Sequence, residues 1–301
     1  RTNSGKIMDP DKPTGVLGRI GNAITRARNF TFNTFFLFLL VALIVSVFSS
    51  TESVSVQENS ALIVNPQGVL VEERTFSNPF DDIWNINYSV PEVEVGEIIR
   101  AIELAKQDEN IQMIILDLEN LGGISIAQAD RLIGSIKDFK TSDKNVSAYA
   151  NFYSQTQYYI SSAANEVYLN PMGGLMLEGF GGSTLYFKDL LDRFGLNAHV
   201  FRVGDYKEAV EPLLRNNMSE EAKEVNRRLL GGLWQSYTKG IEENRFLEPG
   251  TANGYGINFN RELRKTSGDA ARAALENNLV DELLTTDQVR VRFGDRVGFK
   301  D

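Results

Sequence analysis

Apolar residues along this chain fall into two textures. The first is one unbroken block, Phe30 to Phe48, FTFNTFFLFLLVALIVSVF, interrupted only by Thr31, Asn33, Thr34 and Ser46. As a helix it spans ~28 Å, close to the hydrocarbon thickness of a bilayer. Arg19, Arg26 and Arg28 precede it; Glu52 and Glu58 follow, with no Lys or Arg before Arg74. Positive charge stays on the cytoplasmic side. The pattern predicts a single-pass anchor in the inner (cytoplasmic) membrane, with the N-terminus cytoplasmic and the main domain extracytoplasmic. A cleaved signal peptide is the other reading, with Val47-Phe48-Ser49 as a weak cleavage site. The run exceeds a usual signal core and lacks an A-x-A end. Residues 1–29 read as a disordered cytoplasmic tail, 30–48 as the anchor, 49–59 as a polar linker and 60–301 as the main domain.

The second texture is an alternation of strand and helix periods. ALIVNPQGVLVEE reads as two short strands around the turn Asn65-Pro66-Gln67-Gly68. Residues 76–90 are irregular and aromatic, as in a packed loop or, alternatively, a segment lying on a partner or on the membrane surface. Val95, Ile98, Ile99, Ile102 and Ala105 then share one helical face. Met113 to Leu118 is a continuous apolar run with one Asp, as in a buried parallel strand. Ile126 to Phe139 predicts a second helix, Asn145 to Ala150 a strand, Gln155 to Ala164 a helix and Val167 to Leu169 a strand. Thr184 to Phe194 predicts a helix and His199 to Val203 a strand. Ser219 predicts the N-cap of a long helix carrying Val225, Leu229, Leu233 and Tyr237. That stripe fits packing on the domain or a subunit contact. Ala270 to Leu284 closes the domain as a helix with a short apolar continuation. Such alternation predicts an α/β domain, a parallel sheet with flanking helices.

Composition narrows the chemistry. The chain has 301 residues, a net charge of −9, no cysteine and one histidine. Cysteine nucleophiles and thiolate metal sites are excluded, as is any mechanism needing two histidines. His199 reads as structural. The acidic balance argues against nucleic acid as a partner. No metal-ligand spacing stands out, and the reading calls for no cofactor.

One lysine has a chemical reading. In HVFRVGDYKEAVEPLLRNN, Gly204 breaks the strand and Asp205 is positioned as an N-cap, which puts Lys207 in a first helical turn. Pro212 disfavours helical geometry at Glu211, so that helix is short. The exposed N–H groups of a first turn disfavour a cation, and burial disfavours it further. Both lower a lysine pKa towards the range a general base needs. A surface lysine paired with Asp205 and Glu208 is the plainer alternative. Gly122-Gly123, between a strand and a helix, suits either a bare turn or backbone donors aimed at an oxyanion.

The segment VFRVGDYKEAVEP resembles the surroundings of the general-base lysine in the signal peptide peptidase A (protease IV) family of serine/lysine peptidases. The resemblance runs through NNMSEEAKEVNRRLLGGLWQSY and NFYSQTQYYISSAANEVYLNP, and covers nearly the whole chain including the anchor. It fits the N-terminal half of the long, two-repeat form. It implies a ClpP/crotonase-like fold and a homo-oligomer that hydrolyses remnant signal peptides, with Lys207 as the general base. In the long form the second repeat supplies the serine, in a motif like A-S-G-G-Y. Here the matching stretch is Ser154-Gln155-Thr156-Gln157-Tyr158, with Gln155 at the nucleophile position. Ser154 is one residue off, about 100° around a helix. The serine is therefore expected in a C-terminal half that this chain lacks. A catalytically silent assembly or peptide-binding scaffold of the same fold is the alternative. A crotonase-type acyl-CoA enzyme is a second one, resting on fold alone.

Overall fold

A computed structural model of the chain describes residues 16–49, 56–75, 90–199 and 209–298. It divides into two units, Arg1–Ser55 and Val56–Asp301. Among its described residues the first holds one helix, α1 (Val16–Ser49). Its stretch Gly18–Ser46 is long and apolar enough to cross a membrane, with a mean hydropathy of 1.9. The helix starts within the segment read as disordered. Residues 16–29 contain no proline, and a helix once nucleated extends at little cost. Thr25 and Thr31 fold their hydroxyls back onto the carbonyls of Gly21 and Ala27, at 3.0 Å each.

The second unit is built on two parallel sheets. Its strands are β1 (Ser60–Val64), β2 (Gly68–Val71), β3 (Glu92–Glu94), β4 (Ile111–Leu116), β5 (Leu121–Gly123), β6 (Asn145–Ala150), β7 (Glu166–Leu169) and β8 (Glu282–Leu283). Five form one sheet in the order β1-β4-β6-β7-β8, and three form another in the order β3-β2-β5. The two strands around Asn65-Pro66-Gln67-Gly68 thus part into different sheets. Gly68 makes that possible. Its φ is +95°, and a Cβ there would lie 2.0 Å from the Pro91 carbonyl oxygen. Val69 donates to that same oxygen at 2.8 Å.

Helices flank the five-stranded sheet, giving the α/β arrangement that the ClpP/crotonase-like expectation requires. The described helices of this unit are α2 (Val95–Gln107), α3 (Ile126–Lys140), α4 (Gln155–Ser161), α5 (Lys188–Arg193), α6 (Glu211–Leu214), α7 (Glu220–Arg245), α8 (Thr251–Ile257), α9 (Phe259–Lys265), α10 (Ala270–Glu276) and α11 (Thr286–Val297). Alternate strand residues face opposite sides. Ile114 and Leu116 of β4 enter the larger core with Ile102, Leu132, Ile136 and Tyr158. Met113 and Tyr168 face a smaller cluster closed by Val289 and Phe293 of α11.

Three helices start alike. Ser125, Ser154 and Thr285 each cap a helix while Gln128, Gln157 and Gln288 reach back to the cap backbone. Each reciprocal pair satisfies two otherwise orphaned donors. Further sequence expectations change; the helix expected over Thr184–Phe194 begins only at Lys188. The helix expected over 270–284 stops at Glu276, because Asn278 turns left-handed (φ 55°) and the chain re-enters the sheet as β8. Pro212 sits within the first turn of α6, where its missing N–H costs no helical bond, so Glu211 is helical.

Candidate active site

Lys207, Asp205 and the expected strand beyond His199 lie outside the described residues, as does the aromatic stretch 76–89. His199 itself is exposed and in no regular element. The described part of the site is the junction where α4 begins.

That junction is fixed by its own polar groups. Ser154 does not lie within the helix; it caps it. Its hydroxyl accepts the Gln157 N–H at 3.4 Å, while Gln157 Oε1 accepts the Ser154 N–H at 3.0 Å. Gln155, at the nucleophile position of the resemblance, is the first helical residue. Its Oε1 accepts the backbone N–H groups of Glu178 and Gly179 at 3.1 and 2.9 Å. Its Nε2 donates to the Gly179 carbonyl at 3.3 Å. The amide therefore holds the glycine-rich segment beside the helix start. The same segment is tied further back, where Tyr153 N–H donates to Gly174 O at 3.0 Å and Tyr255 Oη to Leu175 O at 2.8 Å. Gly173 permits the approach, because a Cβ would fall 1.7 Å from the Asn151 carbonyl oxygen. Tyr237 reaches across from α7 and donates to the Gln155 carbonyl at 2.7 Å.

The glycine pair of the sequence meets the same junction. Gly122-Gly123 is not a bare turn: both residues lie in β5, paired with β2. Gln157 Nε2 donates to Glu119 O and Leu121 O at 3.3 and 3.4 Å, tying the chain ahead of these glycines to α4. One helical turn, through Gln155 and Gln157, thus positions both the Gly122-Gly123 strand and the glycine-rich segment at Gly179.

No phenol at the junction serves as a base. Burial pushes the Tyr153 and Tyr158 pKa values well above the ordinary range, so both stay protonated. Their hydroxyls donate to the carbonyls of Tyr168 and Leu279. Lys140 has its pKa lowered, first by burial and then by Lys137 and Arg245. Its ammonium donates to Ala163 O at 3.0 Å, which is a structural contact. A cavity of about 480 Å³ opens between Gly181, Gly182, Tyr186, Ala209 and Glu211. Glu211 is buried there and accepts the Ser219 N–H at 3.1 Å, which ties α6 to the cap of α7. Among the described residues, no group of three or more His, Cys, Asp or Glu is placed to hold a metal ion. The pairing of Gln155 with a segment 23 residues away is a tertiary fact that no local pattern signals.

Comparison with known proteins gives a family. The pattern described as Peptidase family S49 matches residues 138–300. Protease 4 of Haemophilus influenzae is 35% identical over 253 residues, 83% of this chain and 41% of that protein. Protease 4 of Salmonella typhi is 34% identical over 280 residues, 90% of this chain and 45% of that protein. The chain thus spans less than half the length of these curated relatives. Among solved structures, a membrane-bound stomatin-specific protease aligns with a TM-score of 0.41 and 12% identity, over 79% of this chain and 85% of that one. An enoyl-CoA hydratase/isomerase family protein from Silicibacter pomeroyi gives 0.39 and 10%, over 81% and 80%.

Proposed function

Because the chain belongs to peptidase family S49, we propose that it is the base-bearing N-terminal half of a membrane-anchored serine/lysine endopeptidase. The observation that carries this reading is the family match over residues 138–300, which takes in the segment of Lys207. The reaction is hydrolysis of peptide bonds in remnant signal peptides. Neutral Lys207 takes the proton of a serine hydroxyl, the alkoxide attacks the scissile carbonyl, and an acyl-enzyme forms and is then hydrolysed. The serine comes from a second repeat. Within this half Gln155 stands at the corresponding place, and a carboxamide offers no nucleophile. The anchor holds the catalytic unit at the inner membrane with the N-terminus in the cytoplasm, and the working form is a homo-oligomer. The scaffold reading draws its support from that same Gln155, since a half without a nucleophile can still bind peptides.

Lys207 separates the two. In a version joined to a serine-bearing second repeat, Lys207→Ala abolishes turnover and leaves assembly intact. Activity rises with pH, because only the neutral amine accepts a proton. Lys207→Arg does not rescue it, since arginine stays protonated. Near-normal turnover in Lys207→Ala would place the base elsewhere. Lost assembly would make Lys207 a structural ion-pair partner. A fluorophosphonate probe leaves the 301-residue chain unlabelled; stoichiometric labelling at Ser154, lost in Ser154→Ala, would overturn the two-half reading.

A further inference from the structure

Helix α1 is longer than the membrane segment it contains. Its 34 residues run ~51 Å, against a hydrocarbon core of ~30 Å. Phe30–Phe48 fills that core, so residues 16–29 continue the same helix for about 21 Å on the N-terminal side. This extension has two faces. Successive residues turn by ~100°, which places Val16, Ile20, Ala23, Ile24 and Ala27 on one apolar stripe. Gly18, Asn22, Thr25 and Asn29 lie opposite. Arg19 and Arg26 border the stripe on one side and Arg28 on the other, and all three are exposed. Arg28 Nη2 donates to Asn29 Oδ1 at 3.4 Å, a neutral acceptor. No Asp or Glu occurs between Lys12 and Thr51, so the helix contains no carboxylate to balance these charges.

We propose that residues 16–29 bind the anionic phospholipid headgroups of the cytoplasmic leaflet, with Arg19, Arg26 and Arg28 as the cationic groups. This rests on the reading of Phe30–Phe48 as an anchor with a cytoplasmic N-terminus. The anchor itself sets the depth. Arg28 and Arg26 stand ~3 and ~6 Å along the helix from Phe30, within a headgroup layer of about 5–7 Å. Arg19 stands ~16 Å away and reaches phosphates when the extension leans onto the surface. The apolar stripe favours that tilt, since Val16, Ile20 and Ile24 are 76%, 50% and 63% exposed. Thr25 and Thr31 ease it, because hydroxyls bonded back to carbonyls four residues earlier bend helices. Charge selects the partner. A second copy brings the same arginines and the same lack of acid over this stretch, so packing against it leaves them unbalanced. Phosphate oxygens match the fork of a guanidinium and carry the missing charge.

Fluorescence quenching by lipid tests this on the full chain, reconstituted in phosphatidylcholine vesicles that hold a minority of phosphatidylglycerol in both leaflets. Bromine is placed near the headgroup end of the acyl chains, either on the phosphatidylglycerol or on an equal amount of the phosphatidylcholine. Emission is read as the difference from the parent, which has Trp84 and Trp234. Ile24→Trp is expected to meet roughly fivefold more of the brominated phosphatidylglycerol than of the brominated phosphatidylcholine. That preference should fall towards one when Arg19→Gln, Arg26→Gln and Arg28→Gln are added, and, with the arginines intact, as salt is raised. The leaflets are alike, so a variant inserted the other way round gives the same reading. Phe32→Trp reports on the anchor and should be quenched by either lipid. If it is quenched and Ile24→Trp shows no preference, or ignores bromine altogether, the headgroup proposal is wrong while the anchor reading stands. If Phe32→Trp is not quenched, the anchor reading fails and the proposal with it. A preference that survives both the glutamine substitutions and high salt would remove the arginines as its cause and overturn the proposal.

Discussion

Replacing Arg296 by methionine tests how the last helix is held to the sheet. The guanidinium of Arg296, in the final turn of α11, grips Glu166 at the start of β7 through two hydrogen bonds, Nη1 to Oε2 at 2.6 Å and Nη2 to Oε1 at 2.7 Å. Ser147 Oγ and Asn145 Nδ2 donate to the same carboxylate at 2.8 and 3.0 Å. Arg296 above all, helped by the Ser147 and Asn145 donors and opposed by burial, pulls the Glu166 pKa from 4.5 to about 2. That difference corresponds to about 3 kcal/mol at 1.36 kcal/mol per pH unit. The side chains are 34% and 29% exposed. Solvent screening therefore reduces the pair's share, and the two remaining donors keep part of what is left, so we expect a loss of about 1–2 kcal/mol in Arg296→Met at neutral pH. A carboxylate whose folded pKa is depressed stabilises the fold above its unfolded pKa. That stabilisation fades as pH falls from 4.5 through about 2. The wild type and variant should therefore differ fully at pH 7 and converge near pH 2. Urea unfolding followed by circular dichroism at pH 7, 4, 3 and 2 measures both quantities, and hydrogen exchange of the α11 amides shows whether the loss is local. Equal midpoints at pH 7, or a difference that persists undiminished at pH 2, would refute the reasoning.

Gly240→Ala should destabilise by about 1–3 kcal/mol, because the added Cβ falls 2.6 Å from Tyr159 Oη, which Asp130 pins through a 2.6 Å hydrogen bond; a thermal midpoint equal to wild type would mean the ring moves freely. In Gln155→Ala the amides of Glu178 and Gly179 lose their acceptor, so their hydrogen exchange should accelerate roughly tenfold, the equivalent of about 1.4 kcal/mol, while the β6 amides keep theirs. Unchanged exchange at those two amides would show that Tyr153 and Tyr255 alone hold the segment. Lys144 donates to the carbonyls of Ala105, Lys106 and Asp108 at the end of α2, so Lys144→Met should cost about 1–2 kcal/mol and fray that helix. A chemical denaturation midpoint matching wild type would assign the capping to solvent.

The elements most legible in the sequence were those with a full period. Asn145–Ala150 is a strand as expected, and α3 ends one residue beyond the expected Phe139, because its apolar residues repeat over several turns. The shortest strands, of two or three residues, escaped. Glu282–Leu283 is too brief to show an alternation, and its neighbours read as a helical continuation. The break was nonetheless present in Asn277-Asn278, since asparagine tolerates the left-handed conformation that Asn278 adopts. The spacing S/T-x-x-Q at Ser125, Ser154 and Thr285 marks three helix starts, the last belonging to the unforeseen α11. At the site, the unsuitability of Gln155 as a nucleophile could be read from its side chain alone. Its grip on Glu178 and Gly179 could not, because it depends on β6 and the glycine segment being brought together by the sheet.

The position of β8 and α11 has a consequence for biogenesis. The five-stranded sheet receives its last strand from residues 282–283, and its second face is covered by residues 286–297. During synthesis from the N-terminus, β1, β4, β6 and β7 all emerge before either piece exists. Throughout that interval Met113, Tyr149 and Tyr168 form an uncovered apolar surface beside an open strand edge. Nascent chains in this state are prone to aggregation. A chain stopped near residue 280 should therefore engage holdase chaperones persistently, and one extended past Val297 should let them go.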